Sequence, residues 1–242
     1  MSTPPPSRVT DKEYSHDHLG DAFYTALSEY DTERRLDTLI GEFLTDEMIE
    51  GKSVLDVGCG LGFFSERLVQ RGATVTACDI GPNLVDKTRA RAKCHAEVVD
   101  ALSLESHFGR GHFDIVVSSE CIEHTRSPKD AIAQMAAVLK PGGFLSVSTP
   151  NLLWYPVVRF ATILKARPFD GFEKFSSWPE MRRTLAANDI AVVRERGLHL
   201  IPFQLPCHGL SRWCDQHLQM AKYAMINICV LGCKNSPEAS RQ

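Results

Sequence analysis

The run Val54-Leu55-Asp56-Val57-Gly58-Cys59-Gly60-Leu61-Gly62 decides how the chain is read. Ser53–Val57 is a short apolar stretch that suits a buried strand, and the glycines after it turn the chain into a helix through Gln70. Gly58 and Gly60 let backbone approach a ligand closely, and the helix start offers free N–H groups. A second strand, Thr74–Cys78, ends on Asp79, placed about 20 residues on as an acid that accepts both hydroxyls of a ribose.

Outward from this loop, strands and helices alternate. A helix is predicted over Asn83–Lys93, strands over Ala96–Val99 and Phe113–Ser118, and a helix over Asp130–Leu139 that stops at Lys140-Pro141-Gly142-Gly143. Phe144–Thr149 is a fifth strand, and Ile190–Arg196 and Ala224–Cys233 complete seven. Upstream, Tyr14–Leu44 reads as helical, with Leu36, Leu39, Ile40, Phe43 and Leu44 on one face. The alternation predicts right-handed βαβ units: an α/β, Rossmann-like fold with a mostly parallel sheet and helices on both faces. After Pro150 the rhythm breaks into a cover segment, about 151–177, before a helix over Pro179–Ala187. The expectation is a single domain over 13–235 between disordered tails at 1–12 and 236–242.

Composition sets outer limits. The 242 residues carry 27 Lys+Arg against 30 Asp+Glu, a net charge of −3, which argues against a nucleic-acid partner. Eight cysteines with no C-x-x-C pair do not make a disulfide scaffold. Cys207, His208, Cys214 and His217 match no common zinc spacing and are read as buried thiols and surface imidazoles. The N-terminal residues show no secretory pattern, and Pro156 and Arg159 interrupt the most apolar run, Leu152–Leu164, so a cytoplasmic protein with reduced cysteines is expected.

The glycine pattern discriminates between ligands. A dinucleotide site wants G-x-G-x-x-G with a pyrophosphate on the helix start, whereas this chain has G-x-G-x-G preceded by Asp56. That acid repels a pyrophosphate and suits an ammonium group, and S-adenosylmethionine carries both an ammonium and a ribose. A nicotinamide-dependent oxidoreductase and a non-catalytic cofactor-binding module are the alternatives from other classes.

VLDVGCGLG with Asp79, FDIVVSSECIEH and LKPGGFLSVSTPN together resemble the class I S-adenosylmethionine-dependent methyltransferases. Glu120, Glu123 and His124 in an E-x-x-E-H run, with Glu173-Lys174-Phe175 and Gly197-Leu198-His199, resemble the ubiquinone-pathway O-methyltransferases of the UbiG type. The resemblance spans roughly residues 30–200 and implies the seven-stranded class I methyltransferase fold. It implies cofactor contacts at Arg35, Gly58, Asp79 and Ser119, with Asp100 on the adenine amino group and Ala101 giving a backbone N–H. Asp56 and Gly60 join this set from the loop itself.

One helical turn at 120–124 would put Glu120, Glu123 and His124 on one face, a set able to hold Mg²⁺ or Zn²⁺. The family resemblance associates these positions with a metal. The same groups also read as a network orienting a loop, or as a lone base. Methyl transfer needs an aligned acceptor with a free lone pair, and a phenol near pKa 10 gains from a base. His124 is the first candidate base and His199, at the end of a strand bordering the cleft, the second. The expected acceptor is a small phenolic or otherwise apolar molecule methylated on oxygen. Nitrogen acceptors, sugars and other natural products stay open. Trp154–Leu164 reads either as a lid over the acceptor, able to touch a membrane surface, or as a cap helix completing the core.

Overall fold

The computed structural model describes residues 29–163 and 173–236. The N-terminal tail, the first part of the helix expected from Tyr14, residues 164–172 of the cover and residues 237–242 lie outside the described residues.

The described chain begins with α1 (Glu29–Leu36), a π-helical stretch over Asp37–Glu42 and a short α2 (Asp46–Ile49). The core unit follows as β1 (Ser53–Val57), α3 (Phe63–Gln70), β2 (Thr74–Asp79), α4 (Pro82–Ala92), β3 (His95–Val98), α5 (Leu104–Phe108), β4 (Phe113–Ser119), α6 (Pro128–Val138) and β5 (Leu139–Pro150). The cover contributes α7 (Tyr155–Ile163), and α8 (Trp178–Ala187), β6 (Ile190–Leu198), α9 (His208–His217) and β7 (Asn227–Lys234) close the chain.

The seven strands form one sheet in the order β3-β2-β1-β4-β5-β7-β6. β1 to β5 pair parallel, while β7 runs antiparallel to both neighbours, β5 and β6. Successive crossovers from β1 go one way to β3, and then β4 returns to the other flank of β1. That reversal opens a crevice beyond the carboxyl ends of β1 and β4, where open α/β sheets bind ligands.

Strands covered on both faces need apolar residues at successive positions, and β1 meets this with Val54, Leu55 and Val57 buried around Asp56. On one face Val54, Ile115 and Val117 pack with Leu36, Leu39, Ile40, Phe43 and Leu44, the helical face read from the sequence. On the other, Leu55, Val57 and Val116 pack with Met135 of α6 and with Trp178, Met181 and Leu185 of α8. Helix starts follow local chemistry: Ser127 and Ser177 accept from the N–H groups of Asp130 and Glu180, with a proline in the first turn of each helix.

Three expectations are corrected. The helix through Leu44 is not one α-helix; Phe43 N bonds Thr38 O, widening the turn after Leu36 while keeping its apolar face buried. Lys140-Pro141-Gly142-Gly143 does not separate α6 from β5 but lies inside β5, where Leu139 already pairs with Phe113 and a register shift follows before Phe144 meets Ile115. The last strand starts at Asn227, because a 3-10 turn holds Gln219–Ala224. In the cover, Leu153, Val157 and Phe160 are exposed.

Gly143 sits where a Cβ would lie 2.8 Å from the carbonyl of Asp114 and 2.9 Å from that of Lys140. Gly143→Ala is therefore expected to lower stability by about 1–3 kcal/mol through overpacking, read as a shifted urea midpoint at constant slope.

Candidate active site

The glycine loop is closed at its two ends and open in the middle. Gly58 has a φ of +73°, and a Cβ there would lie 2.6 Å from the Cβ of Cys121, which follows β4. Gly62, at φ +80°, faces the Cα of Thr88 in α4 at 2.9 Å. Around Gly60, at φ +52°, a Cβ would meet nothing within 4 Å, so this is the face left for a ligand. The loop is anchored to β2 because the N–H groups of Gly58 and Cys59 both donate to the carbonyl of Cys78.

The structure brings Asp79 to this loop. Its carboxylate accepts from the N–H of Gly60 at 3.0 Å and from that of Gly81 at 3.0 Å, so it braces the turn as well as facing the cleft. Asp56 lies below, sealed from solvent, and accepts from the hydroxyl of Ser65 in α3. Burial pushes its carboxyl up to about 6, only partly offset by Ser65. Asp100 folds the loop after β3 by accepting from the N–H of Leu102 at 2.8 Å, with Ala101 buried beside it.

Across the crevice a second polar group forms where β4, β5, β6 and β7 end or begin. The guanidinium of Arg35 donates to the hydroxyl of Ser119 at 2.7 Å, and that hydroxyl lies 3.1 Å from the hydroxyl of Ser148. Ser148 donates to Glu120 at 2.9 Å. Asp31, one helical turn before Arg35, accepts from its Nε at 3.2 Å and its Nη2 at 2.9 Å, and His199 lies 2.9 Å from the other oxygen of Asp31. Burial alone would raise the Asp31 carboxyl, yet Arg35 and His199 hold it down at about 2. Burial pushes the Glu120 carboxyl up, against the pull of Arg35. The same desolvation, reinforced by the charge of Glu120, pushes Glu123 well above the usual carboxylate range.

The expected Glu120–Glu123–His124 face does not form. Glu120 has a left-handed φ of +50° and precedes a 3-10 turn over Ile122–His124, so the three side chains are not in one helical register. Glu120 turns to Ser148, Glu123 accepts from the Thr149 hydroxyl at 3.3 Å, and His124 Nε2 stands 3.8 Å from Glu123. Among the described residues no group of three or more His, Cys, Asp or Glu side chains is placed to hold a metal ion. The donor set does not fit a metal as folded.

The cover is tied to this edge, since Lys174 N donates to the carbonyl of Glu123 and Asn151 pairs with Ser176. Beside it lies a cavity of about 480 Å³ lined by Ile132, Leu152, Phe175 and Met181 and by the charged Lys129, Glu173, Lys174 and Glu180. Sequence reasoning missed Asp31, Ser65 and Ser148 as partners. Asp31 carried a readable signal, the four-residue spacing to Arg35 of a helical ion pair. The others meet their partners only through the tertiary fold.

The family model described as "Methyltransferase domain" matches residues 55–147, the span that holds the glycine loop, Asp79, Asp100 and the β4 end. Together with the curated relatives, this match makes the chain a class I S-adenosylmethionine-dependent methyltransferase. The ubiquinone biosynthesis O-methyltransferase of Vibrio parahaemolyticus is 33% identical over 162 residues, 63% of this chain and 69% of that protein. The enzyme of the same name from Shewanella halifaxensis is 39% identical over 107 residues, 43% of this chain, which spans only 45% of that relative's length. Among solved structures, the magnesium protoporphyrin IX methyltransferase of Synechocystis with bound S-adenosylhomocysteine superposes with a TM-score of 0.66 at 15% identity, covering 93% of this chain and 98% of that one, and shares the fold. The chain belongs to the family of the ubiquinone-biosynthesis O-methyltransferases.

Asp31 gives the site a pH signature. Its folded pKa of about 2 lies below the ordinary 3.8, so its stabilisation is present above about pH 4 and is lost as pH falls through about 2. The contribution is on the order of 2 kcal/mol. Asp31→Asn is expected to flatten the loss of unfolding free energy between pH 5 and 2.5, read from urea titrations at each pH.

Proposed function

We propose that the protein transfers the methyl group of S-adenosylmethionine to a hydroxyl oxygen of a small phenolic or otherwise apolar acceptor. The observation that carries this reading is the open face over Gly60 beside Asp79, opposite a buried polar cluster at the ends of β4 and β5. The names of the two bacterial relatives support oxygen as the acceptor atom.

When bound, the cofactor supplies a methyl group already activated on a sulfonium, so the chain's work is alignment, exclusion of water and handling of one proton. Asp79 takes the ribose hydroxyls, and Asp100 and the Ala101 N–H take the adenine. Gly58 and Gly60 pass the backbone beneath the nucleoside. Asp56 lends negative charge below the ammonium end, and Arg35 with Ser119 receives the carboxylate end. His124, about a quarter exposed beside Glu123, takes the acceptor's hydroxyl proton as the oxygen attacks. The cavity beside residues 173–176, where Ile132, Leu152, Phe175 and Met181 stand among polar groups, suits an acceptor with an apolar body and polar substituents.

No helix among the described residues is long and apolar enough to cross a membrane. The exposed Leu153, Val157 and Phe160 of the cover suit peripheral contact with a membrane surface from which an apolar acceptor is drawn. All eight cysteines are unpaired, which suits the reducing cytoplasm.

Isothermal titration tests the cofactor assignment. The wild-type protein is expected to bind S-adenosylmethionine, and Asp79→Ala to weaken binding by about 1–3 kcal/mol, the cost of leaving buried polar groups unpaired. Undetectable binding at millimolar ligand contradicts the reading, as does an Asp79→Ala variant with unchanged affinity.

A further inference from the structure

His199 follows β6 with a left-handed φ of +62° and a side chain wholly removed from solvent, packed against the edges of Tyr30 and Phe203. A non-glycine residue is held in that backbone region only where its surroundings determine it. Because an ionised carboxylate can only accept, the 2.9 Å contact to Asp31 means that Nε2 of His199 carries the hydrogen. Direct contact with an acceptor does not follow from this burial, but a role through Asp31 does.

The chain of contacts leads to Arg35. A guanidinium has five N–H groups in a fixed fork. Nε and Nη2 donate to Asp31, Nη2 also donates to Thr32 at 3.4 Å, and Nη1 donates to Ser119. Those four contacts leave one N–H, on Nη1, the nitrogen already turned to the end of β4. β4 lies next to β1, and Cys121 just beyond it fills the space above Gly58. A nucleoside seated with its ribose on Asp79 at β2 and its adenine toward Asp100 at β3 extends its other end across β1 toward β4. The carboxylate there meets the remaining Nη1–H.

We propose that His199 and Asp31 are positioning residues for the cofactor's carboxylate: they hold the Arg35 fork so that its free N–H faces the crevice. Neither residue touches the cofactor. The inference rests on reading the crevice as the S-adenosylmethionine site, and it adds a residue from the far edge of the sheet to what determines cofactor affinity.

The test compares two ligands, S-adenosylmethionine and methylthioadenosine, which keeps the nucleoside and lacks the amino-acid end. His199→Asn suits the left-handed backbone but is too short to reach Asp31, whereas His199→Gln keeps a donor of nearly the right length. By titration calorimetry, His199→Asn is expected to weaken S-adenosylmethionine binding about tenfold or more, with methylthioadenosine binding changed by less than about twofold. His199→Gln is expected to recover most of the loss. Arg35→Lys, which keeps the charge and loses the fork, is expected to show the same selective loss should His199→Asn not fold. Unchanged S-adenosylmethionine affinity in folded His199→Asn or in Arg35→Lys overturns the proposal, as does an equal loss for both ligands. A wild-type protein that binds methylthioadenosine but not S-adenosylmethionine also overturns it, and one that binds neither overturns the reading of the crevice itself.

Discussion

The pairing of β1 with β4 is the constraint on which the rest of the molecule depends. It places the glycine loop and the β4 end side by side, so closely that Cys121 occupies the volume a side chain at Gly58 would need. The crevice at this reversal of strand order has the glycine loop and Asp79 on one side and the buried polar cluster on the other. Methyl transfer needs that adjacency, because an in-line displacement works only when donor and acceptor are held within a few ångströms.

The same edge is electrostatically demanding. Asp31, Arg35, Glu120, Glu123 and His199 are brought into a region of little solvent, where an unpaired charge is costly. The chain answers in two ways. Asp31 and Arg35 remain ionised as a hydrogen-bonded pair, with His199 on the far oxygen. Glu120 and Glu123, two acids with one nearby guanidinium, have their ionised forms disfavoured instead. The held Asp31–Arg35 pair and the raised acids of Glu120 and Glu123 thus share one cause, the removal of this edge from solvent.

Sequence reading reached most of the architecture through periodicity and punctuation. The apolar runs of β1, β2, β4 and β5 had the length and composition of buried strands, and Leu36, Leu39, Ile40, Phe43 and Leu44 had helical spacing. It misplaced Lys140-Pro141-Gly142-Gly143, since a proline and two glycines normally end an element, whereas here a register shift in β5 absorbs them. It also drew Glu120, Glu123 and His124 onto one face, because sequence spacing carries no record of a single left-handed φ at Glu120.

The sequence by itself determined the α/β alternation, the glycine loop after β1, the acid at the end of β2 and, by resemblance, the methyltransferase class. These depend on neighbours within a few residues or on spacings that helices and strands convert directly into geometry. Only the tertiary structure decided which groups meet across the crevice. Arg35 and Ser119 are 84 positions apart, and Asp31 and His199 are 168 apart. No local pattern encodes such contacts, because they arise from the order in which the strands pack, and burial then sets the charge each group can carry.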